Sequence, residues 1–231
     1  MATFYGEIVQ PYSRAVDDDD DEDDVIPDTS CSVLRWSPTA KLEMEESPTQ
    51  CLQCEVLIIA IGQEATGFSQ AYLLENDAEI ICVICSGMDE QDVNTFSQTA
   101  PTDKTCYIYR LKSRPNIMMC MCNSKVTSEA SYSWTEKVFS KLEKPPDQQM
   151  YVAVLSSTLA SEFKSETPIG DLKLPFLRSL STNEFPGTPI CPYLEVPNVV
   201  PGLPASSEYL SKFSITISLF LSVLDALVDF K

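Results

Sequence analysis

Histidine is absent from all 231 residues. That removes Ser-His-Asp and Cys-His nucleophile systems, histidine-ligated metals and the commonest general base together. Chemistry by carboxylates or lysine stays open. Positive charge is scarce as well: 16 Lys and Arg stand against 34 Asp and Glu, a net charge of −18. Eight of the 34 acids form an unbroken run at residues 17–24; with those eight set aside, 26 acids remain against 16 bases. Such a surface repels nucleic acid and anionic membrane, and it favours solubility or a basic protein partner. The first residues, Met1-Ala-Thr-Phe-Tyr-Gly-Glu7, lack the basic and long apolar segments of a secretion signal. No apolar run is long enough to read as a membrane span. The best, from Phe213 onward, carries Ser214, Thr216, Ser218 and Ser222 before Asp225. The nine cysteines are an odd set, which without a secretion signal fits a reducing compartment.

What the chain does contain is organised around Val56-Leu-Ile-Ile-Ala-Ile61. Six consecutive apolar residues, rich in β-branched side chains, are too short and stiff for a good helix. They predict a strand buried on both faces, as in the centre of a parallel sheet. Gly62 ends the run, and residues 65–74 have helix-compatible spacing, with Phe68, Ala71, Tyr72 and Leu74 available for one face. A strand, a glycine turn and a helix open an α/β domain. The turn Gly62-Gln-Glu-Ala-Thr-Gly67-Phe68-Ser69 has the glycine spacing of a P-loop, but Phe68 stands at the lysine position and Glu64 sits where the anion would bind. The dinucleotide fingerprint is missing too. The glycines read as a tight turn with close helix packing, and the motif does not bind phosphate.

Residues 1–50 read as a disordered arm: a short amphipathic piece, the acidic run, then Ser/Thr/Pro-rich sequence within which Arg35-Trp36 could dock back. Order is expected from about Cys51, giving one α/β domain over residues 51–231. Residues 79–85 predict a second buried strand, and residues 86–103 a polar loop with a short helix. Residues 105–111 and 116–122 predict strands so closely linked that they must form an antiparallel hairpin, which makes the sheet mixed. Ser128 opens a helix to about Leu142 with Ala130, Trp134, Val138 and Leu142 inward, stopped by Pro145-Pro146. Residues 151–155 predict another strand. Residues 181–206 hold six prolines and read as extended surface loop. A short helix at 206–213 and an alternating strand from Phe213 complete the chain. The fold class is α/β: a mixed, mostly parallel sheet flanked by helices.

Two C-x-x-C pairs, Cys51/Cys54 and Cys82/Cys85, are the strongest chemical signal. Structural zinc would need each pair on a tight knuckle. Cys82 and Cys85 lie within a strand, where residues three apart point to opposite faces, so buried core thiols are the favoured reading. Asp89, Glu90 and Asp92 read as solvated surface. No catalytic residue, cofactor-binding residue or metal ligand is assigned. Two other readings remain: a nucleotide- or purine-handling enzyme, suggested by the strand and glycine turn, and a zinc-stabilised module.

Several stretches together resemble the proteasome assembly chaperones. They are Ala2-Thr-Phe-Tyr-Gly-Glu-Ile-Val9 before an acidic run, Ile58-Ile-Ala-Ile-Gly62, Tyr107 to Arg114 with Asn116 and Cys120-Met-Cys122, and Trp134-Thr-Glu-Lys-Val-Phe139. Pro175-Phe-Leu-Arg-Ser-Leu180 and Cys191-Pro-Tyr-Leu-Glu-Val-Pro-Asn198 are also similar to them. The resemblance implies a non-enzymatic chaperone without cofactor or metal. It implies pairing with a related subunit, proteasome assembly chaperone 2, and binding of 20S proteasome α subunits. α-Ring assembly would be promoted and wrong ring association prevented, in the cytoplasm and also the nucleus or at the endoplasmic reticulum. Family members finish in a hydrophobic-Tyr-any tail. Here Asp229 and Phe230 stand at those positions, so no tail residue is carried over and the chain is expected to be shortened or alternatively terminated.

Overall fold

Three of the predicted strands meet in the middle of one eight-stranded sheet, in the order β1-β4-β5-β6-β3-β8-β10-β9. They are β3 (Val56–Ile61), β6 (Ile117–Cys122) and β8 (Tyr151–Leu159), which pair in parallel, and β10 (Ser214–Ser222) extends the parallel block. Outside it, β1 (Ser32–Trp36), β4 (Glu79–Ser86), β5 (Thr105–Arg110) and β9 (Phe176–Ser181) join antiparallel. This computed structural model describes residues 32–182 except 75, 77, 87–104, 124, 125, 127, 169, 170, 173 and 174, and then 185, 187, 188, 191–209 and 214–222. The acidic run and the polar loop with Asp89, Glu90 and Asp92 lie outside the described residues.

The sheet is mixed, as expected, but its parallel share is smaller than expected. Three of its seven pairings are parallel. An apolar run reports burial, and interior strands are buried whichever way their neighbours run, so the pattern could not give direction.

The first face of the sheet carries the main core. Leu57 and Ile59 of β3 stand beside Met118 and Cys120 on β6 and beside Val152 and Val154 on β8, all essentially inaccessible. Burying each such side chain contributes about 1.5–3 kcal/mol. Helix α3 (Ser128–Phe139) lays Ala130, Trp134 and Val138 on this layer, the predicted stripe. It stops three residues early, and Leu142, still buried, belongs to the two-residue β7 (Leu142–Glu143), paired with β2 (Leu52–Gln53). The last helix among the described residues, α4 (Leu203–Tyr209), begins before the predicted 206 and buries Leu203 and Ser207.

Order starts well before Cys51. Residues 32–50, expected to belong to the arm, form β1 and α1 (Pro38–Glu46). Trp36 docks in the core, the Ser37 hydroxyl caps α1 by accepting from the Ala40 N–H at 3.2 Å, and Pro38 sits at the helix start, where its missing N–H costs nothing. Arg110, 8 % exposed, anchors this corner: its guanidinium donates to Glu43 of α1 at 2.5 Å and twice to Glu79 of β4, at 2.9 and 2.6 Å.

The second face is covered differently. Helix α2 (Gln63–Tyr72) lies over the C-terminal halves of β3, β6 and β8, burying Ala65, Thr66 and Ser69. The expected inward residues Phe68, Ala71 and Tyr72 are exposed instead. The predicted burial of β3 on both faces is also corrected, since Val56 and Ile58 on this side are half-buried.

Candidate functional site

Gly62 makes the turn from β3 into α2 with φ of +89°, a conformation that L side chains rarely adopt. A Cβ there would stand 3.3 Å from the Ser157 hydroxyl, so the tight-turn reading of this glycine holds. Gly67 is different: a Cβ would meet nothing within 4 Å, so close packing does not explain it. Phe68, at the lysine position of the P-loop pattern, points outward and stacks on Tyr72 with ring centroids 5.2 Å apart. Glu64 bends over the start of α2, and its carboxylate accepts the Ser157 hydroxyl proton at 2.6 Å. Thr66 donates to the Gly62 carbonyl at 2.8 Å. The chain's own carboxylate thus occupies the positive end of the helix, where an added anion would be repelled.

Above this turn lies a crevice of about 730 Å³. Its floor is made by the ends of the parallel strands, with Ile61 at the end of β3 and Gly62 after it, Asn123 after β6 and Ser156, Ser157 and Thr158 on β8. Crevices at the carboxyl ends of parallel strands are the usual ligand position in α/β sheets. The opposite wall is the proline-rich segment 194–204 with Phe163 and Lys164. Hydroxyls dominate the polar groups, and Glu162 is engaged by Thr158 at 2.6 Å.

Within the stretch 181–206, expected as a surface loop, residues 191–202 are a loop, but it is strapped down. Ser179 of β9 bridges to Tyr193; its N–H donates to the Pro192 carbonyl at 2.9 Å and its carbonyl accepts from Leu194 at 2.9 Å. Asn198 clamps the Lys164 backbone, accepting from its N–H and donating to its carbonyl, both at 2.7 Å, and it donates again to Glu195 at 2.8 Å. Arg178 pairs with Glu195 at 3.1 Å and lies over the rings of Phe163 and Phe176, 5.4 and 4.6 Å from their centroids. Partial burial pushes the Glu195 carboxyl up, but the Arg178 guanidinium and backbone hydrogen bonding hold it below the usual carboxylate range. The strap therefore has a fixed shape. It holds Val196, 92 % exposed, and Val199, 83 % exposed, in solvent.

The cysteines stand mostly in the core. Cys54, Cys82, Cys106, Cys120 and Cys122 are buried, while Cys51 is half-buried and donates weakly to the Thr49 and Ser140 carbonyls. Burial pushes the Cys54 thiol up to about 12 and raises that of Cys120. Cys82 and Cys85 sit at separate rungs of β4, opposite Trp36 and Val33. Among the described residues, no group of three or more Cys, Asp or Glu is arranged to hold a metal. Likewise, no helix among them is long and apolar enough to cross a membrane. Sequence reasoning missed Asn198 and Arg178, whose partners lie 34 and 17 residues away.

Comparison with known proteins places this architecture. A family model described as Proteasome assembly chaperone 4 matches residues 1–228. Proteasome assembly chaperone 1 of Xenopus tropicalis is 34% identical over 220 residues, covering 89% of this chain and 76% of that protein. The Homo sapiens protein of the same name is 30% identical over 244 residues, covering 98% and 83%. Among solved structures, Pyrococcus furiosus PbaB, described as an archaeal proteasome activator, superposes with a TM-score of 0.51 at 11% identity, covering 83% of this chain and 80% of that one. The chain belongs to the proteasome assembly chaperone family.

Proposed function

We propose that this protein is a non-enzymatic assembly chaperone that pairs with proteasome assembly chaperone 2 and binds α subunits of the 20S proteasome. By occupying their contact surfaces it promotes α-ring formation and keeps rings from associating wrongly, an effect that follows from mass action on a covered interface. The observation that carries this reading is a rigidly pinned strap presenting Val196 and Val199 to solvent in a chain of this family. A preformed apolar projection loses little conformational freedom on docking, so more of its contact energy is kept as affinity. The names of the relatives support the proteasome as the target. We place the protein in the cytoplasm, and in the nucleus or at the endoplasmic reticulum; imaging of a fluorescent fusion tests this.

Mixing the purified chain with chaperone 2, then adding single α subunits, tests the function by size-exclusion mobility. A complex at micromolar concentration, lost for α subunits on Val196→Asp with Val199→Asp, is the expected result. A chain that stays alone with both partners, or that turns over a small molecule, refutes it.

A further inference from the structure

Buried thiols gather on three neighbouring strands of the first face: Cys82 of β4, Cys106 of β5, and Cys120 and Cys122 of β6. Cys120 and Cys122 bring their sulfurs to 3.9 Å, yet their backbones stand too far apart to be bridged. Two residues along one extended strand set same-side Cβ atoms about 6.6 Å apart, whereas a disulfide needs roughly 3.5–4.5 Å. Cys82 and Cys120 flank Ile108 from opposite sides, two strand spacings or about 9.5 Å apart. Cys106 is diagonal to both of them, at about 7–8 Å between Cα atoms, beyond the ~7 Å that a disulfide reaches.

Cys106 and Cys122 are placed differently. They stand directly opposite each other in the antiparallel β5–β6 ladder. Rungs of such a ladder alternate between hydrogen-bonded and non-hydrogen-bonded pairs. The rung beside the turn fixes the phase, because the Leu111 N–H donates to the Ile117 carbonyl at 3.3 Å. Counting back along the unbroken register makes Cys106 and Cys122 a non-hydrogen-bonded pair, in which Cα atoms approach to about 4.5 Å. That separation lies within the ~4.4–6.8 Å that a disulfide spans. The two thiols already share a hydrogen bond. We propose that Cys106 and Cys122 are an oxidative modification site, which closes into a cross-strand disulfide when a small disulfide such as oxidised glutathione acts on the chain.

The hydrogen bond from Cys106 favours the Cys122 thiolate, but the Cys120 contact and burial outweigh it and hold the Cys122 thiol well above the ordinary range. Attack therefore waits on opening of the strand ends, where Cys122 is the last residue of β6 and Cys106 the second of β5. The Cys122 sulfur, having lost its proton, bonds one sulfur of the oxidised glutathione and expels the other as a thiolate. A close-packed core has no room for the attached tripeptide. The deprotonated Cys106 sulfur then bonds Cys122 and expels the second glutathione thiolate. The cysteines lose two electrons and two protons, and one glutathione disulfide becomes two thiols. The bond staples the hairpin at its open end, away from its turn and one residue before Asn123 in the crevice floor.

Peptide mapping of the wild-type chain tests this. The protein is equilibrated at pH 8 with oxidised glutathione, quenched with acid, alkylated and digested without reductant. A cross-linked peptide is expected, with fragmentation placing the bond between Cys106 and Cys122. It is expected to form more slowly than glutathione adducts on half-buried Cys51 and Cys191. The melting temperature is expected to rise by roughly 6–12 °C with the bond, as closing a loop of about 15 residues implies in a chain of this size, and to fall back with dithiothreitol. Cys122→Ala is expected to remove both the bond and the rise, and Cys120→Ala to keep both. A bond from Cys106 to Cys120 or Cys82 instead overturns the proposal. So do intact thiols at Cys106 and Cys122 after exchange has run to completion in urea just below the unfolding transition. A bond that leaves the melting temperature unchanged also overturns it, because the folded ladder then does not accommodate the bridge.

Discussion

Asn198→Asp is nearly isosteric and strikes the strap at its clamp. The side-chain oxygen that accepts from the Lys164 N–H is retained. The amide that donates to the Lys164 carbonyl at 2.7 Å and the Glu195 carbonyl at 2.8 Å becomes a carboxylate oxygen facing both. Two hydrogen bonds at a net ~0.5–1.5 kcal/mol each give about 1–3 kcal/mol, an amount that electrostatic repulsion raises and hydration of this exposed site lowers. Since each 1.4 kcal/mol is tenfold, local opening of the strap rises roughly five- to a hundredfold or somewhat more. Hydrogen exchange reads this at the Leu194 and Asn198 amides, which donate to Ser179 and Glu195 at 2.9 and 3.0 Å. Amides of β3 in the sheet centre are the control and are expected to keep their protection. Lowering the pH protonates the new carboxyl, restores one donor and shrinks the difference. Unchanged exchange at Leu194 and Asn198 would show that the clamp does not hold the strap, and the preformed-projection argument would fall with it.

The two glycines of the β3–α2 turn are expected to respond with opposite sign in calorimetry. Gly62→Ala forces a side chain to φ of +89° and 3.3 Å from Ser157, costing about 1–2 kcal/mol and roughly 2–8 °C in Tm, while Gly67→Ala, open on all sides in a helix interior, stabilises by about 0.5–1 kcal/mol. Urea titration of Glu79→Gln is expected to show a larger loss than Glu43→Gln, because Glu79 takes two of the three Arg110 hydrogen bonds; with both carboxylates more than a third exposed, the loss is about 1 kcal/mol. Cys54 keeps its proton in the folded chain up to about 12 against 9.0 when unfolded, so its contribution is full below pH 9 and is lost as pH rises from 9.0 towards 12. Thiol titration at pH 8 is accordingly expected to reach Cys51 and Cys191 in the native protein and Cys54 after unfolding.

Strongly periodic stretches were legible. β3, the β5–β6 hairpin, α3 with its Trp134 stripe, β8 and the alternating β10 stand within a few residues of where their patterns put them. Composition misled where it was averaged. The Ser/Thr/Pro content of residues 32–50 reads as an arm, yet Ser37 and Pro38 are the cap and first residue of α1, a local signal of two residues swamped by its surroundings. β9 went unrecognised because Arg178 and Ser179 interrupt its apolar pattern; both side chains turn to the strap, which the ladder alone gives no reason to expect.

The surfaces that matter most were the least legible, for a physical reason. A catalytic or metal site repeats residue types at fixed spacing because one reacting atom or ion must be met from several sides. A docking surface has no such centre, and its parts need share nothing but exposure. In α2 the usual rule runs backwards: Ala65, Thr66 and Ser69 face the sheet because a close approach needs small side chains, and Phe68 and Tyr72 are left outside. An apolar run such as Val56–Ile61 states that both faces need cover without saying which atoms supply it. Leu57 and Ile59 find theirs within this chain, whereas Val56 and Ile58 do so in part. The shortfall appears only when the sequence demand is set against the folded cover.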